Sequence, residues 1–385
     1  MDKEEAQKLI SESIMISDDE ISRKHIRSKT IILLITLFAM LLISFVLNIR
    51  NVDAGRLRIF STIGVWLIGF FFFCSGYGLI TSLRTKQDYL KGFLVKRVLI
   101  VLVPFFLCNY AYMSLELLRG MQFSTPELIA SFFGVLLTNS QMWFAVEIML
   151  LYIVFFLLFT YVKKEKVCIM TIVALTAMIT LIGMQNTRPF CLSNWFWGEW
   201  WFNTSFMFLF GMIMAHSEEK IIAFVKKRYP IILLLCLVAA IGLSFPVNAM
   251  VEMGTYYCEY EGSFTILQIF MIKFVTLLCQ FAMVFFADAV VLMAMMKIKC
   301  GNRITRSLGS VSLELYLIHN LYLIMFGYMG IGGIKNPAML VYAAVICSLI
   351  TAYIIHVPIR LLCSKFACRF TCSVRSTVSQ TAPPA

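Results

Sequence analysis

The sequence predicts an all-α integral membrane protein of about ten transmembrane helices with both termini on the cytoplasmic side. Three observations carry that expectation. Hydrophobic residues make up 60% of the chain and charged residues only 14%, whereas ordinary soluble domains carry roughly a quarter charged residues. The apolar residues fall in separate runs, most of them near the roughly 20 residues that one crossing needs. Lys and Arg are dense in every second connection between those runs and sparse in the others, the pattern expected when basic loops are retained in the cytoplasm.

Residues 1–29 are a charged tail ending in Arg23, Lys24, Arg27 and Lys29. They are too polar for a cleavable signal, and the apolar run after them is too long. Crossings are expected at Thr30–Ile49, Ile59–Leu83, Val98–Leu117, Met142–Val162 and Val167–Met184. Five more are expected at Phe202–His216, Pro230–Met250, Ser263–Met296, Leu308–Met329 and Pro337–Val357. Leu128–Thr138 is too short to cross and reads as an interfacial or re-entrant helix. Ser263–Met296 is too long for a straight crossing, so it is expected to tilt, with its first third lying along or dipping into the outer face. One transmembrane domain, 30–357, thus sits between a polar tail, 1–29, and a basic tail, 358–385.

Charge tests the count. With ten crossings, 26 of the 33 Lys and Arg lie on the inner side and six on the outer, with Lys273 inside a span. Only the first outer loop, with Arg50, Arg56 and Arg58, runs against the pattern. The net charge of +12 therefore reads as topology and contact with anionic membrane lipids, not as a nucleic-acid surface. The twelve cysteines show no CxxC or Cys/His spacing, so no metal is expected. Cys191 and Cys258 are placed outside, where a disulfide can form; Cys363, Cys368 and Cys372 are candidates for lipidation or plain packing. No internal repeat is visible.

Ionisable groups inside a membrane are costly and mark candidate sites. Ser312, Tyr316, His319 and Asn320 share one helical face of the ninth span, with Glu314 off it. His319 lies near mid-depth, as a base or as a hydrogen-bond partner tying spans together. Trp143 and Glu147 share a face of the fourth span, and Lys273, Thr276, Gln280 and Asp288 form a polar line on the eighth. In the aromatic outer loop, Arg188 and Glu199 stand among Trp195, Trp197, Trp200 and Trp201, which suits either a sugar ring or interface anchoring. His216 and His356, near span ends, read as interface residues.

Five blocks, in order over Ile59–Val357, resemble the acyltransferase 3 family of polytopic bacterial enzymes that O-acylate surface glycans. They are FFFFCSGYGLI (70–80), YLKGFLVKRVLIVLVPFF (89–106), QMWFAVEIMLLYIVFFLL (141–158), FMFLFGMIMA (206–215) and LGSVSLELYLIHNLYL (308–323). The resemblance implies an acyl-CoA donor, acetyl-CoA first among candidates, used as a substrate and not as a bound cofactor. It implies a surface glycan or lipid-linked sugar as acceptor and residence in the inner (plasma) membrane. By position it marks Ser75, Gly76, Arg97, Trp143, Tyr316 and His319, with Arg97 meeting nucleotide phosphates. His319 and Glu147 are the candidate catalytic residues, and Arg97, Trp143, Tyr316, Ser75, Asn320 and Glu199 the candidate substrate-binding ones.

The chain departs from that family at three places. The first span holds neither the usual Arg nor the usual His; Ile100 replaces a second Arg; Gln141 stands where a His often precedes the Trp. Hydroxyl acylation needs a base, so either His319 or Glu147 takes that role, or the chain is a divergent branch with another acceptor, or it is a non-catalytic relative that binds or conveys a glycan or lipid. A secondary transporter is the third reading.

Overall fold

A computed structural model of the protein describes residues 63–162, 164–185, 204–252, 265–297, 307, 309–334 and 336–380. The expected first span, the aromatic loop with Glu199 and Arg188, and Cys191 and Cys258 lie outside the described residues. Every regular element among the described residues is helical. That follows from the solvent, because a backbone in hydrocarbon must satisfy its own N–H and C=O groups.

Helix α1 runs Ile63–Thr85, and a π-helical turn at Val95–Leu99 leads into α2, Ile100–Leu118. Next come the short α3, Thr125–Phe132, then α4, Trp143–Tyr161, and α5, Glu165–Gln185. Helices α6, Phe206–His216, and α7, Glu218–Lys227, precede α8, Tyr229–Glu252, and α9, Ile266–Lys297. Helix α10, Ser312–Leu323, passes into a π-helical turn at Ile324–Tyr328, and α11 covers Pro337–Gln380. Among the described residues, six segments are long and apolar enough to cross a membrane: Val65–Thr85, Val95–Leu118, Trp143–Tyr161, Tyr229–Met250, Phe270–Lys297 and Met339–Leu362.

Three boundaries differ from the sequence expectation. Helix α3 starts before Leu128, because Ser124 and Glu127 form a capping box behind Pro126. Such a box satisfies free N–H groups at a helix start and fixes where it begins. It stops at Phe133, ahead of Gly134 with φ of +69°. The basic stretch at 220–228 is a helix, not a loop. Helix α11 passes through Pro358 and continues to Gln380, beyond the expected end at Val357.

The ends of the bundle are tied: α1 and α6 run parallel, both ending beside Arg84, while α8 with α9 and α10 with α11 run antiparallel. Helices α1 and α6 pack against each other, as do α8 with α9 and α10 with α11. At one end of the bundle Arg84, at the end of α1, donates to Glu165 of α5 at 2.7 Å and to the Ala215 carbonyl of α6 at 3.0 Å. At the other end the Arg119 guanidinium, after α2, lies 5.8 Å from the Tyr328 ring after α10. These are called below the Arg84 end and the Arg119 end.

The closest helix contact among the described residues is α1 on α6. A Cβ on Gly76 would lie 2.0 Å from the Phe208 carbonyl oxygen, and one on Gly211 would lie 2.1 Å from that of Phe73. Backbone meets backbone at both places, so only glycine fits. In a membrane, where apolar burial drives little, this close approach is what holds helices together.

Candidate functional site

Helix α4 organises the polar interior, with α1 and α2 against one stretch of it and α10 against another. Near the Arg84 end, the π-helical turn places Arg97 so that its Nε donates to the Tyr89 hydroxyl at 3.0 Å. The guanidinium also lies 6.0 Å from the Tyr89 ring centroid. Deeper along α4, the Tyr152 hydroxyl donates to Ser75 Oγ of α1 at 3.3 Å, and Arg97 lies within electrostatic reach of Tyr152. Arg97, Tyr89, Tyr152 and Ser75 therefore form one group. Tyr89 edges onto Phe93 at 5.6 Å and Phe93 onto Tyr152 at 6.3 Å, an aromatic bracket that fixes both hydroxyls.

Toward the Arg119 end, α10 meets the start of α4. The Tyr316 hydroxyl donates to the Gln141 carbonyl, and its ring edges onto Phe144 at 5.6 Å. Asn320 donates from Nδ2 to Asn139 Oδ1 at 2.9 Å, and the same oxygen accepts from the Gln141 N–H at 3.2 Å. Two residues of α10, Tyr316 and Asn320, bond that loop, so α10 is held in register with the start of α4.

His319 is buried one turn from Tyr316 and lies 6.0 Å from its ring. Its Nδ1 is 2.6 Å from the Tyr316 carbonyl oxygen. A carbonyl only accepts, so the ring carries its proton on Nδ1 and its lone pair on Nε2, the nitrogen that can take a proton. Glu147 is 3% exposed, accepts from the Ser205 hydroxyl at the start of α6, and lies within electrostatic reach of Tyr316. Its Oε2 has no partner among the described residues. A buried carboxyl oxygen left so is costly in a protein that gains nothing from it.

Of the expected site residues, the structure gathers His319, Tyr316, Asn320 and Glu147 around the α4–α10 contact and sets Arg97 with Ser75. Glu147 and Tyr152 are five residues apart on α4, about 7 Å along its axis, so one helix carries both groups. Trp143 is 5% exposed and packs its ring 6.1 Å from Phe72, which makes it part of the core. Ser312 bonds the Gly309 carbonyl in its own turn.

Two expectations are corrected. His356 is not an interface residue: it is buried, and its Nδ1 lies 2.7 Å from Glu314 Oε1. Sequence periodicity could not show this pair, because 42 residues separate them and the contact depends on how α10 meets α11. His216 does lie at a helix end, but in a junction. Its Nδ1 is 2.7 Å from Arg84 Nη2 and 2.6 Å from Glu165 Oε1; it can accept from the first or donate to the second, not both.

Tyr89, Tyr152, Asn139 and Ser205 were missed by sequence reasoning. Tyr152 was legible in part, since Phe144, Ile148, Tyr152, Phe155 and Phe159 form the buried i, i+4 face of α4. The others lie on loops or helix starts, where no period exists to read.

The bundle and its buried polar groups define a polytopic membrane protein with a site between helices. The family model described as an acyltransferase domain matches residues 37–357, most of the chain. The protein belongs to this acyltransferase 3 family. Curated proteins and solved structures give no match.

Proposed function

We propose that the protein is a membrane-bound O-acyltransferase that moves an acetyl or other short acyl group from acyl-CoA to a hydroxyl of an extracytoplasmic glycan or lipid-linked sugar. The accompanying topology is ten crossings with both termini in the cytoplasm, so that the Arg84 end faces the coenzyme and the Arg119 end the acceptor.

One observation carries the reading: a single helix, α4, bears the Arg97 group on one stretch and the Glu147, Tyr316 and His319 group on another. Arg97 suits a phosphate, since a guanidinium grips it bidentately. In the reaction the acceptor oxygen attacks the thioester carbonyl and the carbon–sulfur bond breaks. The hydroxyl proton passes to Nε2 of His319, and CoA leaves as a thiol once its sulfur is protonated. Tyr316, locked to Gln141, orients the imidazole through its own carbonyl, and Glu147, in electrostatic reach of Tyr316, is the second candidate acid–base group.

The test is release of CoA thiol from acetyl-CoA by purified protein, with and without a sugar acceptor. Replacing Arg97 by Gln is expected to raise KM roughly 10- to 100-fold with little change in kcat, the loss of a charge-assisted bond. His319→Gln is expected to lower kcat by a factor of roughly 100 to 10,000. If no acyl-CoA is turned over while the protein binds a glycan or lipid, it is the non-catalytic relative that Ile100, Gln141 and the His-free first span make conceivable.

A further inference from the structure

Helix α7 has no part in the site described above, and its position is unusual. Ser217 alone joins it to α6 and Arg228 alone joins it to α8. Both neighbours are strongly apolar, so α7 has no slack to leave the membrane surface at the Arg84 end. Among the described helices it is also the most sharply two-faced. Ile221, Ile222 and Val225 are half-buried, while Lys220, Phe224 and Lys227 share the other face at i, i+4 and i+7 and are exposed.

Phe224 is 58% exposed, with exposed Lys220 and Lys227 on its face of the helix. The Arg228 guanidinium lies 5.9 Å from its ring centroid, and at the next residue the Lys297 ammonium lies 5.1 Å from the Tyr229 ring. Lys226 is exposed as well. The acidic residues, Glu218 and Glu219, are both in the first turn, where the helix dipole favours them, leaving the outward half of α7 positive. A large aromatic ring flanked by Lys and Arg is poorly placed in water. It is well placed at headgroup depth, with the ring among acyl carbons and the long basic side chains reaching up to phosphates.

We propose that α7 is an interface helix that binds the anionic headgroups of the leaflet at the Arg84 end, through Lys220, Lys227 and Arg228 around an inserted Phe224. Each basic residue near an anionic surface contributes roughly a 5-fold gain in lipid affinity. The proposal is independent of the acyl-transfer reading.

The test is native mass spectrometry of the full-length protein in detergent with phosphatidylglycerol and phosphatidylcholine supplied together. Wild type is expected to retain phosphatidylglycerol preferentially, the K220Q/K227Q/R228Q variant to lose roughly 100-fold in that affinity, and K164Q/K166Q to keep it. Phe224→Ser should weaken retention of both lipids. Equal retention of the two lipids by wild type, or unchanged retention in the triple variant, overturns the proposal. So does a triple variant that keeps its lipids but binds CoA more weakly, which would assign the patch to a soluble nucleotide. Should the triple variant fail to fold, the wild-type preference is measured against salt: loss of preference at high ionic strength supports charge recognition, and indifference to salt overturns it.

Discussion

Gly211 and Gly76 are where one added carbon would do most damage. Each would place a Cβ about 2 Å from a backbone oxygen, and backbone has no rotamer through which to yield. Gly211→Ala is expected to cost about 3 kcal/mol, the upper range for overpacking, read as a lowered Tm in detergent. At Gly78 a Cβ meets nothing within 4 Å among the described residues, so Gly78→Ala should be neutral or stabilising by up to about 1 kcal/mol. A similar loss in both variants would show that α1 and α6 do not touch as described. The Glu314–His356 pair invites a second residue-level test. Removing one partner strands a buried polar group, so Glu314→Ala and His356→Ala should each cost about 3–5 kcal/mol. The double variant should cost less than their sum. At this scale the sequence was informative where a helical face sufficed: Tyr316, His319 and Asn320 were placed together by spacing alone. It was silent on Tyr152 with Ser75 and on Glu314 with His356, because those contacts are set by helix packing across 77 and 42 residues.

Elements are bounded by caps and connections as much as by hydropathy. Helix α3 shows this most simply. The Ser124 N–H and hydroxyl both reach Glu127 Oε2, at 2.9 and 2.8 Å, and those bonds hold the Glu127 carboxyl below the ordinary carboxylate range. A depressed folded-state pKa stabilises the helix above the unfolded pKa, and the contribution disappears as pH falls through the folded value. Amide exchange in α3 should therefore speed up on acidification below the carboxylate range, and Glu127→Gln should flatten that dependence. An unchanged pH profile in the variant would remove the capping box from the account. The six crossings found among the described residues were legible because apolar runs of the right length need no tertiary information. Helix α7 was not, since its basic residues read as a connecting loop until its apolar residues were seen to fall on one face. Nor did hydropathy indicate that α11 would continue past Pro358.

Across the whole molecule, polar groups are distributed in a directed way. Basic residues crowd the Arg84 end, where Arg84, Lys91, Lys96 and the cations of α7 lie exposed, and buried acceptors gather toward the Arg119 end around Glu147 and Tyr316. A catalyst that takes a negatively charged coenzyme from one side and delivers an acyl group toward the other needs that asymmetry. Charge counting along the sequence anticipated the asymmetry; it could not show that α4 bears both groups, because that depends on which helices flank it. The most direct test of the central claim is thiol release from acetyl-CoA added outside sealed proteoliposomes whose protein orientation has been fixed by protease accessibility. Release is expected only where the Arg97 face is outermost, and Arg97→Gln should lower it roughly 10- to 100-fold at low acetyl-CoA. Equal release from both orientations, or none from either with folded protein, would contradict the account.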